Sequence, residues 1–160
     1  VFSEVYGLEV VMLRYFSVYG PRGRPDQVIK AFADRVASGL PPVIFGDGGQ
    51  TRDFTYVSDV VDANVLAAES EGVSGEVFNI GFGRRVEIKE LAEMVIDIMG
   101  EKGKISPTHK ESYAGDFPDT CADIAKASRM LGYSPKVDLK EGLKRFVSWY
   151  QANTDYPQDT

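Results

Sequence analysis

Apolar and polar positions follow two periods along the chain, and each change of period marks an element. Residues 8–16, Leu-Glu-Val-Val-Met-Leu-Arg-Tyr-Phe, are β-branched, aromatic and nearly all apolar. That run predicts a strand buried on both faces, as in a parallel sheet. Residues 1–6 read as a helix end closed by Gly7, so the two together form the tail of a β-α-β unit. Gly20-Pro21-Arg22-Gly23-Arg24-Pro25 breaks the pattern as a loop, and Asp26 is placed to cap a helix with Val28, Phe32 and Val36 on one face. Residues 43–45 predict a short strand, 46–50 a turn, and 52–57 alternate as a further strand. Ser58 is placed to cap a helix carrying Val61, Val65 and Ala68. A strand over 76–80 follows, then helices over 88–99 (Leu91, Val95, Ile98) and 139–150 (Leu143, Phe146, Val147, Tyr150). The class is mixed α/β, with residues enough for one domain.

Composition narrows the functions. Hydrophobic residues make up 43% and charged residues 26% of the 160, which supports a packed core and not disorder. The formal net charge of -6 and pI near 4.8 speak against a nucleic-acid surface, though not against a local cationic pocket. A single cysteine, Cys121, and a single histidine, His109, exclude an intrachain disulfide and disfavour a zinc site. No apolar run approaches the ~20 residues that span a bilayer. No charged-then-apolar leader precedes the domain, so the expectation is no membrane and a cytoplasmic setting.

Three segments carry candidate chemistry. Residues 14–21 stand at the carboxyl end of the first strand, where open α/β sheets bind ligands; the plain alternative is a strand ending in a Gly-Pro loop. In residues 45–54, a strand-borne Arg52 can present its planar fork to a phosphate, and Phe45 can stack on a base. The alternative there is a hairpin with a surface ion pair from Arg52 to Asp53 or Asp47. Residues 113–119, Tyr-Ala-Gly-Asp-Phe-Pro-Asp, form a long polar connection, either functional or a plain linker. No glycine-rich dinucleotide fingerprint is present, and no tyrosine is followed four residues later by lysine.

Residues 13–22, 45–60 and 78–83, with Gly115-Asp116, Ala122-Asp123-Ile124-Ala125-Lys126-Ala127 and Leu131-Gly132-Tyr133-Ser134-Pro135, resemble the extended short-chain dehydrogenase/reductase family, in particular its UDP-glucose 4-epimerase group. The order and spacing match over nearly the whole chain. The resemblance implies late strands of a Rossmann-type parallel sheet plus the smaller α/β substrate-binding domain, with the N-terminal Rossmann portion and its Tyr-x-x-x-Lys pair missing. Residues 1–20 would be the remnant of the NAD-binding domain, 21–152 mainly the nucleotide-sugar-binding domain, and 153–160 a flexible tail. It implies NAD as cofactor in the complete enzyme, a UDP-sugar as ligand, and a homodimer when complete. Hydride would pass from the sugar C4 to NAD and back, and this chain alone would be inactive. Tyr15 and Phe16 would lie near the nicotinamide. Ser17, Gln27 and Val28 would line the sugar-diphosphate path. Val43 and Phe45 would face uracil, Arg52 a phosphate, and Asp116 the ribose. Two positions depart from the family: Ser17 stands where Asn is usual, and Tyr113 where a second phosphate-binding Arg is usual. Phosphate binding then rests on Arg52 alone or on a neighbour such as Lys110 or His109. A related dehydratase or decarboxylase, or a non-catalytic nucleotide-sugar-binding module, remains an alternative.

Overall fold

Four strand pairs organise the chain in the computed structural model, which describes residues 5–112, 115 and 117–153. β1 (Met12–Tyr15) pairs in parallel with β6 (Val77–Ile80), and β2 (Val18–Tyr19) in parallel with β5 (Thr55–Tyr56). β3 (Val43–Phe45) pairs in parallel with β8 (Thr108–Lys110), and β4 (Thr51–Arg52) antiparallel with β7 (Val86–Glu87). Five helices pack on these pairs: α1 (Val28–Ala37), α2 (Val57–Glu69), α3 (Ile88–Ile98), α4 (Ala125–Leu131) and α5 (Leu139–Ala152). The architecture is α/β, as the pattern predicts. Among the described residues no helix is long and apolar enough to cross a membrane.

Two apolar clusters hold the layers. Phe32, Val36, Leu91, Val95, Leu143 and Phe146 join α1, α3 and α5 at the predicted helical spacing. Val60, Ala63, Phe78, Ile80, Ala127 and Tyr133 join α2, β6 and α4. Helix α5 approaches Tyr19 so closely that a Cβ at Gly142 would fall on the Tyr19 hydroxyl oxygen and 2.8 Å from its Cζ. Contact of that kind explains a glycine inside a helix, where it costs about 1 kcal/mol relative to alanine.

Several predicted details are corrected. The first strand covers only residues 12–15, and one of its faces is open. Val11 and Leu13 pack on the second cluster, whereas Leu8, Val10, Met12 and Tyr15 are exposed. Within the described residues β1 is paired with β6 only, so its other edge is unpaired as well. Residues 52–57 are not one strand. The chain changes partner at Asp53 and Phe54, from β7 to β2, and enters α2 at Val57. Asp26 and Ser58 cap no helix: the N-cap positions are Gln27 and Tyr56, without a side-chain cap. The buried stripe of α2 is Val60, Ala63 and Ala67, while Val61 and Val65 face outward, because β6 and α4 take the other side.

Candidate functional site

The end of β1, the loop before α1, β3 and β4 converge on one cavity. Phe16 continues the β1 ladder by donating its N–H to Ile80 O at 2.9 Å. At Ser17 the chain turns, with φ +30, into β2. β3 carries Val43 and Phe45 to the same cavity and ends in a glycine turn with φ +78 at Gly46 and +80 at Gly48, values that glycine adopts without steric cost. The Gln50 amide closes that turn by donating Nε2–H to Phe45 O at 2.7 Å. β4 then presents Arg52, whose guanidinium donates to Thr51 O at 2.7 Å.

The cavity measures about 520 Å³. That size accepts a sizeable small molecule. Its wall is lined by Ser17, Arg24, Gln27, Val28, Val43, Phe45, Gln50 and Arg52, over a floor that includes Tyr19, Ile29, Phe32, Ile44, Phe54 and Ile88. Six residues singled out in the sequence, Ser17, Gln27, Val28, Val43, Phe45 and Arg52, therefore share one wall. Tyr15 does not: it lies exposed on the same face of β1 as Leu13, and its hydroxyl donates to Asn64 Oδ1 at 2.9 Å. Phe16 is half-buried at the end of β1 and is not part of the cavity lining. Asp116 and Tyr113 lie outside the described residues. His109 and Lys110 sit exposed on β8, beyond the lining; His109 Nδ1 is 2.8 Å from Gly46 O.

Arg24 is the charged cavity residue that sequence reasoning missed, alongside Gln50 and the apolar floor. Its Nε lies 3.3 Å from Asp26 Oδ1 in a pair exposed at both ends. Such surface pairs are weak and screened by salt, so an anionic ligand can take the guanidinium over. The only local signal was a second arginine two residues after Arg22 in a Gly/Pro loop.

The hairpin alternative does not form, since β3 and β4 pair with β8 and β7 and not with each other. Asp53 is fully buried, and its carboxylate accepts the N–H groups of Phe82 (3.0 Å), Gly83 (2.9 Å) and Ala122 (2.9 Å). Asp47 Oδ1 accepts Gly49 N–H at 2.9 Å within the turn. On the cavity floor, burial first and the nearby Tyr56 second push the Tyr19 hydroxyl well above its ordinary range. It stays protonated and donates to Leu139 O at 3.3 Å. Among the described residues no group of three or more His, Cys, Asp and Glu is placed to hold a metal. The lining brings two arginines, several aromatic and aliphatic side chains and several polar ones to one volume, which suits a ligand with an anionic part and an apolar or aromatic part.

Residues 1–81 match the NAD dependent epimerase/dehydratase family. The chain is 36% identical over 155 residues to a UDP-glucuronate 4-epimerase of Thermodesulfobacterium geofontis, covering 96% of this chain and 47% of that one. It superposes with a TM-score of 0.88, at 40% identity, on the UDP-glucose 4-epimerase of Thermotoga maritima determined with UDP-glucose, covering 96% of this chain and 49% of that one. A UDP-glucuronic acid 4-epimerase from Bacillus cereus, in complex with UDP-glucuronic acid and NAD, gives a TM-score of 0.87 at 38% identity, over 94% of this chain and 48% of that one. The chain thus spans about half the length of the relatives it matches.

Proposed function

Because the chain belongs to the NAD dependent epimerase/dehydratase family, we propose that it is the nucleotide-sugar-binding portion of an NAD-dependent UDP-hexose 4-epimerase. The observation that carries this reading is the shared wall of Phe45, Arg52 and Arg24 in one cavity of about 520 Å³. Phe45 and Val43 take the uracil, by stacking and apolar contact. Arg52 and Arg24 take the diphosphate, where a planar guanidinium can meet two oxygens at once. Ser17 and Gln27 border the sugar, and Asp116 takes the ribose. Tight hold on the remote nucleotide fixes the sugar near the reacting centre while leaving the ring room to turn.

The residues present fit NAD at one edge only. Tyr15 and Phe16 stand at the carboxyl end of β1, beside which a nicotinamide ring would lie, and the 160 residues hold no glycine-rich dinucleotide turn. When bound, NAD supplies the hydride acceptor and donor for the sugar C4. In this reading residues 1–20 belong to the NAD-binding domain, and residues 21–152 mainly to the sugar-binding one. The exposed apolar residues Met12, Tyr15, Val61 and Val65 are surface that the remaining length of such an enzyme would cover. The complete protein is a cytoplasmic homodimer, and this chain alone turns nothing over.

Calorimetric titration of the full-length protein with UDP and a coupled assay with UDP-galactose test the reading, with the 160-residue chain assayed in parallel. Binding and interconversion by the full-length protein alone are expected. Turnover by the isolated chain would sink the partition of roles, and no UDP binding by the full-length protein would sink the substrate class.

A further inference from the structure

Between β1 and β2 the chain leaves one strand pair for another. Tyr15 is the last residue of β1 in register with Ile80, and Val18 is already paired with Thr55. The change of partner falls on Ser17, whose φ is +30. There the Cβ of an L-residue crowds the backbone, and the region is settled mainly by Gly, Asn and Asp. Serine has no such preference, so its surroundings must impose the conformation.

Thr55 does so from two sides. Its Oγ1–H donates to Phe16 O at 2.9 Å, and its backbone N–H donates to Ser17 O at 3.2 Å. Both carbonyls that flank the joint are therefore held by one residue. Thr55 is itself fully buried, and its β-branched side chain has little rotamer freedom. The joint it holds is part of the cavity wall, together with Arg52 and Gln27.

We propose that Thr55 is a positioning residue for the sugar: by holding the Ser17 joint left-handed, it sets the direction in which the Ser17 hydroxyl enters the cavity wall. The inference rests on reading the cavity as a nucleotide-sugar site. Ser17 borders the sugar and not the base in that reading, because it follows the carboxyl end of β1 directly, whereas the wall assigned to the base comes from β3.

Four variants of the full-length protein test it: Thr55→Val, Thr55→Ser, Ser17→Ala and Ser17→Gly, with the doubles. The first readout needs no ligand. Glycine relieves left-handed strain, so Ser17→Gly raises Tm in the parent, and it raises Tm less in Thr55→Val, where the joint has relaxed. Equal gains in both backgrounds mean that Thr55 does not impose the conformation, and the proposal fails. The second readout is UDP-hexose turnover beside UDP binding. Thr55→Val is expected to lower kcat by about tenfold or more, as misplacement of a positioning group does, with the UDP Kd changed by less than about twofold. Thr55→Ser recovers most of the loss, and Thr55→Val has no further effect once Ser17→Ala is present. Unchanged kcat per folded molecule, or an equal drop with and without the Ser17 hydroxyl, overturns the proposal. If the parent neither binds UDP nor turns over UDP-hexose, the nucleotide-sugar reading falls together with the sugar part of this proposal. The thermal cycle alone then decides whether Thr55 holds the joint.

Discussion

The carboxylate of Asp53 accepts the backbone N–H of Ala122 at 2.9 Å, across 69 residues of sequence. With Phe82 and Gly83 on the same carboxylate, one side chain ties β4 to the segment after β6 and to the segment before α4. A Cβ at Gly81 would stand 2.7 Å from Asp53 Oδ2, so the packing around this carboxylate leaves no room for a larger residue. Asp53→Ala leaves the N–H groups of Phe82, Gly83 and Ala122 without their acceptor, and for the buried Ala122 that costs about 1–3 kcal/mol. The variant is expected to lose at least about 1 kcal/mol in urea unfolding. Asp53→Asn keeps one acceptor oxygen and should lose less. A parent-like midpoint for Asp53→Ala would show that water satisfies those amides instead.

The second prediction concerns alkaline pH. Tyr133 is buried, and its hydroxyl donates to Gly81 O at 3.0 Å. Burial first, then the negative charges of Asp59 and Asp53, raise its pKa far above the ordinary tyrosine value. Above about pH 10 the unfolded chain releases this proton while the folded chain keeps it, so stability falls as pH rises. Below that pH the contribution is fully present. Tyr19 acts in the same direction. Unfolding free energy is expected to be insensitive to these groups near neutrality and to drop above about pH 10 by up to about 1.4 kcal/mol per pH unit for each tyrosine. Tyr133→Phe should lower stability at pH 7 through its lost hydrogen bond yet make the alkaline slope shallower. An unchanged slope would assign the alkaline loss to other groups.

The helices of the first cluster were legible because their signal is local. Val28, Phe32 and Val36, or Leu91, Val95 and Ile98, fall on one face whatever the rest of the chain does. Asp53 and Asp59 were not, since a charged residue beside Arg52 or after Ser58 reads as solvated. Their burial depends on amides that arrive from residues 82, 83 and 122 and from Lys136 and Val137. Strand β8, Thr-His-Lys with every residue exposed, shows no apolar alternation and exists as a partner of β3. Within the site, Phe45 and Arg52 could be singled out because each borders a strand beside the glycine turn, whereas Ser17, Gln27, Val28 and Val43 came from the family resemblance. Arg24 could not, because its place on the wall depends on how the 20–25 loop folds before α1.

The two cavity arginines give the third prediction. In a chain of net charge -6, a diphosphate needs fixed local cations, and among the described residues Arg24 and Arg52 are the two that line the cavity. A charge-assisted hydrogen bond contributes about 1.5–3 kcal/mol, so Arg52→Ala should weaken UDP binding to the full-length protein by about 10- to 100-fold. Arg24→Ala should weaken it less, because Arg24 is mostly exposed and already paired with Asp26. The double variant should bind no measurable UDP, Arg52→Lys should recover only part, and Tyr113→Arg should tighten binding. Calorimetry at two salt concentrations decides the matter, since loss of a phosphate contact also reduces the salt sensitivity of binding. Parent-like affinity in Arg52→Ala would remove this residue from the phosphate site.

The fourth prediction separates recognition from packing at Phe45. The ring is half-buried on β3, in the cavity wall beside the glycine turn, and its carbonyl is held by Gln50. Leu91, 0% exposed in the first cluster and outside the cavity lining, supplies a packing control. Stacking of an aromatic ring on a base contributes about 1–3 kcal/mol, so Phe45→Ala should raise the UDP Kd by about tenfold or more, and Phe45→Tyr should not. Leu91→Ala should instead cost about 2–5 kcal/mol of stability through the cavity it leaves, with affinity per folded molecule unchanged. If both alanine variants lose stability alike and both bind UDP like the parent, the Phe45 ring is core, and the base must be sought along another part of the wall.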